Sequence, residues 1–338
     1  MLVISPRNAG VNLPGDDGIV FVLDHQPPSD FKINGDFETG SIYQNQSYNS
    51  IEHAIKYSGI DVKHVYMDHY LHWQDFPYSY TCVPNLFLRH CEDFLINATL
   101  GEYSDEQCCF IMMNKRRENR LLVSAWFSQH NDIDFDYSQG WDVEDKDFLD
   151  IQEYTRLTSY TLDSFLDKKF TAYKDNVTSN EDPNGYHDGE GNVAIWNNVL
   201  KEQFCSSTFS VITEPPFWEK GCMITEKYLM TLYGCCFPIF CGGGYGLADQ
   251  LSGVGFDVFD DVINHSYQYE LHPGQRVLHA LEQNREILKK HSVKKLNYME
   301  RHLKNLSLVR EYLNSFKDKF SNSTFEKYWL QLVDASVV

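Results

Sequence analysis

Residues Glu214 to Tyr267 read EPPFWEKGCMITEKYLMTLYGCCFPIFCGGGYGLADQLSGVGFDVFDDVINHSY, and this span decides the fold. Thr225-Glu226-Lys227 heads a helix expected over Tyr228 to Gly234. The run Cys235 to Cys241 has the continuous apolar character of a strand buried on both faces. Gly242-Gly243-Gly244 marks the turn at its carboxyl end. In open α/β sheets ligands bind beyond the carboxyl ends of strands. A turn without Cβ atoms lets backbone N–H groups approach such a ligand closely. The order carboxylate, cation, strand and glycine turn therefore reads as a pocket for a nucleotide or sugar.

The same rhythm extends outward. Cys108 to Met113 is an expected strand, Leu121 to Gln129 a helix, and Ser207 to Ile212 a strand that delivers Glu214 to the pocket. Upstream, Leu2 to Ser5 and Ile19 to Leu23 read as strands, with Arg7 to Gly18 as a surface loop between them. Ser50 to Ser58 carries apolar residues at helical spacing and stops at Gly59; Asp61 to Met67 alternates as a strand does. Between about 131 and 191 the pattern loosens into an expected acidic insertion. It has turns at Asp182 to Gly185 and Asp188 to Gly191, and one amphipathic helix near Thr161 to Phe170. Helices are expected over Arg276 to His291 and Val293 to Phe316.

Two elements carry a family resemblance. The first is the Thr225-Glu226-Lys227 triplet followed by Pro238 and Gly242; the second is FIMMNKRRENR, Phe110 to Arg120. Together they resemble the nucleotide-sugar-binding half of GT-B glycosyltransferases, especially fucosyltransferase-like enzymes and related transferases encoded by large phages. The resemblance spans roughly 106–270. It implies an α/β fold of two Rossmann-like domains with a central cleft and a long C-terminal helical segment. Residues 1–104 would form the acceptor-side domain and 105–272 the donor domain. Residues 273–338 would be helices packing back on the first.

The resemblance also implies roles. Glu226 would bind the donor ribose, Lys227 its phosphates, and Arg120 the diphosphate, with Arg116 as its rival. Asn114, Glu214, Thr225 and Gly242, Gly243 and Gly244 would complete the donor site. An Arg fork and a Lys point charge are what a diphosphate leaving group requires, with Lys115 and Arg117 nearby as further cations. Each residue also has a structural reading. Thr225 and Glu226 suit a helix N-terminus, Lys115 to Arg117 a solvated loop, and Phe256 to Asp261 with Tyr267 a fixed loop geometry. The acceptor hydroxyl needs a base from the first domain. Asp24-His25 is the first choice and Asp68-His69 the second, with Asp16 or Asp17 a further alternative; a retaining enzyme would need none.

Composition limits the partners. The net charge of −19 excludes a basic surface running the length of the chain. Lys289, Lys290, Lys294, Lys295, Arg301, Lys304 and Arg310 nevertheless crowd one C-terminal segment, while Asp132 to Asp150 is acidic. That cluster makes a hydroxylated pyrimidine of double-stranded DNA an expected acceptor, with a glycan or small molecule as the alternative. A non-catalytic nucleotide-sugar-binding protein is a further class.

The nine cysteines have no C-x-x-C spacing and read as reduced thiols. The Asp-x-Asp matches at Asp132 to Asp136 fall in acidic sequence rather than after an apolar strand. No metal or other cofactor is therefore expected beyond the nucleotide-sugar co-substrate. Neither a signal peptide nor a membrane-spanning run is visible, so a cytoplasmic location is expected, the host's if the chain is phage-encoded.

Overall fold

The computed structural model describes residues 2–5, 8–12, 18–22, 59, 61–67, 70–71, 78–82, 84–113, 118–130, 132–139, 189–214, 221–270 and 272–320. The chain is a mixed α/β protein with two largely parallel sheets. Strands β1 (Leu2–Ser5), β2 (Asn8–Asn12), β3 (Ile19–Val22) and β4 (His64–Met67) enter the first sheet. A short strand β5 (Tyr70–Leu71) stands apart from it, and β6 (Tyr80–Cys82) completes it in the order β2-β1-β3-β4-β6. All neighbours there are parallel except β2, which pairs antiparallel with β1 at the edge. The segment Arg7 to Gly18, expected as loop, thus contains a strand. Its sequence NAGVN is short and apolar only at Ala9 and Val11, and an edge position asks for little more.

The second sheet holds the span quoted above. Helix α1 (Asn85–Asn97) leads to β7 (Gln107–Met113), α2 (Glu118–Gln129) and β8 (Phe135–Gln139). Helix α3 starts at Gly189–Ile195, widens to a π turn over Trp196–Leu200 and closes at Lys201–Ser206. Then come β9 (Ser207–Ile212), β10 (Gly221–Cys222), α4 (Glu226–Tyr233) and β11 (Phe237–Phe240). The order β11-β9-β7-β8 is parallel throughout, with Phe135, Cys109, Phe209 and Phe237 aligned in one row. Cys108 to Met113 and all of β9 are buried, so helices cover both faces, as a parallel sheet demands.

Two features of this half differ from expectation. The stretch expected as an acidic insertion from about 131 contributes β8 to the sheet. FDYSQ needs apolar residues on one side only, because β8 is an edge. Helix α1 had no expected counterpart; Phe87, Cys91 and Phe94, at i, i+4 and i+7, are its fully buried stripe. Phe94 meets Trp196 and Tyr233, and Phe87 meets Tyr228 and Tyr312, so α1 belongs to the core around the second sheet. The helices expected at Ser50 to Ser58 and Thr161 to Phe170 lie outside the described residues, as does the turn at Asp182 to Gly185; of the turn expected at Asp188 to Gly191, the residues Gly189 to Gly191 instead form the first turn of α3.

Beyond β11 come α5 (Leu247–Gly253), a 3-10 turn at Ser266–Tyr269, α6 (Pro273–Gln283), α7 (Arg285–Lys290) and α8 (Met299–Phe320). The continuous helix expected from Arg276 breaks at Asn284. That side chain donates to the Ala280 and Asn264 carbonyls and accepts from the Asn264 N–H, which ties the break to the preceding turn. Pro238 lies in β11, an edge strand where a missing N–H costs no ladder bond. Two residues on, the Phe240 N–H is met by the Tyr267 hydroxyl at 2.9 Å. Helix α8 lies along α1, with a Lys317–Glu92 ion pair of 2.7 Å. Among the described residues no helix is long and apolar enough to cross a membrane.

Lys295 is fully buried, and its ammonium donates to three carbonyls: Phe204 (3.1 Å), Cys205 (2.6 Å) and Gly234 (2.9 Å). These close the ends of α3 and α4, where unpaired carbonyls and the helix dipoles favour a cation. All three ammonium donors are used. Replacing Lys295 by Met strands the three carbonyls in the core. It is expected to destabilise the fold by about 3 kcal/mol or more, read as a lowered urea midpoint; a midpoint matching the wild type would refute this role for Lys295.

Candidate functional site

The order of the second sheet reverses at β7: the chain steps outward to β8, then returns to the other side of β7 as β9. In open α/β sheets such a reversal marks where ligands bind, here beyond the carboxyl ends of β7 and β9. Three pieces of chain meet there. The first turn of α2 supplies Asn119 and Arg120, both buried. Asn119 Nδ2 donates to the carbonyls of Glu214 (2.7 Å) and Cys241 (2.9 Å), tying together the ends of β9 and β11. Arg120 Nε and Nη2 donate to the Thr213 carbonyl at 3.3 and 3.1 Å.

Glu214, the next residue, is 1% exposed. Its carboxylate accepts the Thr225 N–H (3.0 Å) and faces the Thr225 hydroxyl at 2.7 and 2.6 Å. Thr225 is also the N-cap of α4, accepting from the Lys227 N–H. One hydroxyl thus joins the cap to the strand end. Lys227 Nζ lies 3.4 Å from Glu214 Oε2 and 2.7 Å from Glu226 Oε1, and His90 Nε2 on α1 stands 3.8 Å from Glu226 Oε2. A single ammonium therefore lies between two carboxylates in a nearly dry setting, and Glu226 is the partly exposed member.

These neighbours separate the two acids. Burial pushes the Glu214 carboxyl up, with Lys227 only partly opposing it. Burial also works against ionisation of Glu226, but Lys227 and His90 outweigh it and hold that carboxyl well below its ordinary range. The site accordingly carries one firmly ionised carboxylate beside one that resists ionisation.

The glycine turn is packed against this cluster. A Cβ on Gly242 would lie 2.2 Å from the Glu214 carbonyl oxygen, and one on Gly243 would lie 2.5 Å from Leu247 and 3.3 Å from the Glu214 Cβ. Gly243 and Gly244 hold φ of 76° and 104°, in the left-handed region. The Gly243 carbonyl accepts the Met223 N–H at 2.8 Å, and Gly244 bridges Cys222. The turn expected to leave room for a ligand's approach instead gives that room, at Gly242 and Gly243, to Glu214. Gly244 links onward through β10, which pairs antiparallel with β5 of the first half.

The expected donor-site residues Arg120, Glu214, Thr225, Glu226, Lys227 and Gly242 to Gly244 come together. Asn114 and Arg116, with Lys115 and Arg117, lie outside the described residues, as do the acceptor-side candidates Asp24, His25, Asp68, His69, Asp16 and Asp17. Asn119 and His90 were not foreseen, although Asn119 lies within the quoted FIMMNKRRENR element. Comparison of the chain with protein-family models, with curated proteins and with solved structures finds no match.

The C-terminal cations differ most from expectation. Lys289 pairs with Asp132 at 2.6 Å, Lys290 with Glu286 at 2.8 Å, and Lys295 is buried. Lys294 reaches His291 and the Asp105 carbonyl. Arg301 forks onto Asp257 (2.6 and 2.9 Å) and Asp261 (2.8 Å) and lies 4.7 Å from the centre of the Phe259 ring. The Phe256 to Asp261 element is thus held as a loop from α8, with Asn305 bonding both the N–H and carbonyl of Asp257. Among the described residues no three of His, Cys, Asp and Glu gather as metal ligands do.

The depressed Glu226 pKa implies a sign. Its contribution to stability is fully present above its ordinary pKa of 4.5 and is lost as pH falls below that value. The raised Glu214 acts oppositely, weakening the fold as pH climbs through its folded value. Glu226→Gln is expected to lower stability at pH 7 and to flatten the acid limb below about pH 4.5, measured as urea midpoints from pH 7 to 3. Parallel acid limbs for variant and wild type would refute the coupling.

Proposed function

We propose that the chain is a glycosyltransferase that moves a sugar from a nucleotide-diphosphate donor to a hydroxyl acceptor, with the second sheet as the donor half of a GT-B-like pair. The observation that carries this reading is the meeting of Arg120 and Lys227 on consecutive residues, Thr213 and Glu214, at the sheet's reversal point. Two cations from separate parts of the chain are held where a parallel sheet receives ligands. Supports among carboxylates and carbonyls fix them before a ligand arrives, which is the preorganisation that charge stabilisation needs. The first sheet, also parallel, suits the acceptor half. The β5–β10 pairing fits a chain segment that passes between halves.

In the reaction, the bond between the anomeric carbon and the terminal diphosphate oxygen breaks and a bond to the acceptor oxygen forms. The acceptor proton passes to a base and the nucleoside diphosphate leaves, its developing charge met by Lys227 and Arg120. Glu226 has lone pairs beyond those facing Lys227 and His90, and these are open to a ribose diol. Glu214, almost wholly buried, positions Thr225 and Lys227 rather than touching the ligand. Asp24-His25 and Asp68-His69 follow directly on the strands β3 and β4, within a residue or two of their carboxyl ends.

For the acceptor, Lys289, Lys294 and Arg301 are each engaged by a neighbouring acid or carbonyl and Lys295 is buried, which weakens the support the cation cluster lends to DNA, although Lys290, Lys304 and Arg310 are exposed. With a net charge of −19, we place a glycan or small-molecule hydroxyl ahead of a hydroxylated pyrimidine in DNA.

A thermal-shift screen of nucleotide sugars, followed by turnover of the best donor on oligosaccharides and on hydroxymethylated DNA, tests the proposal. Lys227→Ala and Arg120→Lys are expected to weaken donor binding on the order of tenfold or more, since each loses a charge-assisted contact. Melting curves check that the variants fold. Donor affinity unchanged in both variants would overturn the assignment. Binding of donor with neither transfer nor hydrolysis would make the protein a binding module instead.

A further inference from the structure

Tyr269 is 50% exposed, the most exposed of the aromatic side chains whose burial the structure describes. Its orientation is fixed. The hydroxyl donates to Asp249 Oδ2 at 2.6 Å, and the ring meets that of Tyr245 edge to face at 5.9 Å and 69°. The turn that carries it is clamped to the start of α5. Gln268 accepts from the N–H groups of Ala248 and Asp249, donates to Asp249 Oδ1, and receives the Gly246 N–H on its carbonyl. Tyr267, two residues earlier, points inward and caps the β11 edge, so the turn presents one tyrosine to the core and the next to solvent.

The location matters as much as the exposure. Tyr245 follows directly on Gly242 to Gly244, and the backbone of Gly243 lies against Glu214. Two Cα steps of about 3.8 Å separate Tyr245 from Gly243. Tyr245 therefore lies two residues from the point where the turn packs on Glu214, at the carboxyl end of β11, and Tyr269 lies against Tyr245.

We propose that Tyr245 and Tyr269 form a stacking shelf for the base of a nucleoside diphosphate whose phosphates lie at Lys227 and Arg120. This rests on the reading of that cluster as a nucleotide-sugar pocket and names the group that sets its preference for a nucleotide over bare diphosphate. A nucleoside diphosphate places its base one ribose away from its phosphates, and Glu226 stands at the cluster's exposed side to meet that ribose. Tyr269 presents a flat apolar surface that is already immobilised by Asp249 and Tyr245, so little side-chain freedom is lost on stacking. The face suits any base; selectivity among bases would fall to polar groups at its rim, of which Asp249 and Gln268 are the nearest.

The test is calorimetric titration of the full chain with guanosine, uridine and adenosine diphosphates and with inorganic pyrophosphate. The wild type is expected to bind at least one nucleoside diphosphate more tightly than pyrophosphate. Tyr269→Ala, a change at an exposed position, is expected to narrow that gap on the order of tenfold, the usual worth of a base–aromatic stack, while leaving pyrophosphate affinity unchanged. Tyr269→Phe keeps the ring and is expected to retain most of the gap.

A full gap in Tyr269→Ala would overturn the shelf while leaving the pocket intact. So would an equal loss for nucleotide and pyrophosphate, which marks a structural role. A loss confined to sugar-bearing nucleotides would assign the ring to the sugar and likewise overturn the shelf. If the wild type binds neither nucleoside diphosphate nor pyrophosphate, the pocket reading itself fails and the shelf fails with it.

Discussion

The ammonium of Lys227, shared between the carboxylates of Glu226 and Glu214, is the interaction on which the site is built. A carboxylate as buried as Glu214 is costly unless paired and hydrogen-bonded. Lys227 supplies the charge and Thr225 supplies both an N–H and a hydroxyl. Because Thr225 is also the cap of α4, the start of that helix, the end of β9 and the acid between them cannot be moved separately. The glycine turn follows from the same constraint. With the Glu214 backbone fixed by Asn119, the chain leaving β11 must pass so close that a Cβ at Gly242 has no space. Glycine at that position serves packing.

How much of this was legible depends on how local each interaction is. The runs at 108–113, 207–212 and 235–241 are read correctly because a parallel strand buried on both faces must be apolar throughout. The α4 cap is legible for the same reason: Thr225, Glu226 and Lys227 interact within one turn. Edge strands were not. NAGVN at β2 and FDYSQ at β8 are short and, at sheet edges, need little apolar character. Helix α1 has a clear i, i+4, i+7 stripe at Phe87, Cys91 and Phe94, which was the missed signal. His90 lies on that same helix, so overlooking the helix also concealed the second partner of Glu226.

The C-terminal cations show the limit from the other side. A run of Lys and Arg is usually a solvated face, and nothing local indicates otherwise. Their partners Asp105, Asp132, Asp257 and Asp261 are distant in sequence or belong to a separate turn. Lys295 is the extreme case, a cation with no carboxylate partner at its ammonium, held by three helix-end carbonyls. A charge census cannot distinguish such a residue from a surface lysine; only the folded chain does. Lys294, Lys295 and Arg301 in this segment thus tie the sheet and its loops together, while Lys290, Lys304 and Arg310 are exposed.

That distribution bears on how so acidic a chain would hold the doubly charged ligand proposed for it. Beyond a Debye length of about 8 Å at physiological salt the net charge is largely screened, so long-range repulsion slows an anion's approach more than it weakens the final contact. What decides binding is the field within the crevice, where Arg120 and Lys227 are 4% and 8% exposed and screening is weak. Those cations are held by a backbone carbonyl and by carboxylates, and the balance differs between them. Arg120 donates to the neutral Thr213 carbonyl. Lys227 is partly neutralised by Glu226, so an incoming phosphate would have to share it. On the proposed reading such a site would discriminate through its neighbouring groups, which gives the partly exposed Glu226 more influence over ligand choice than charge alone.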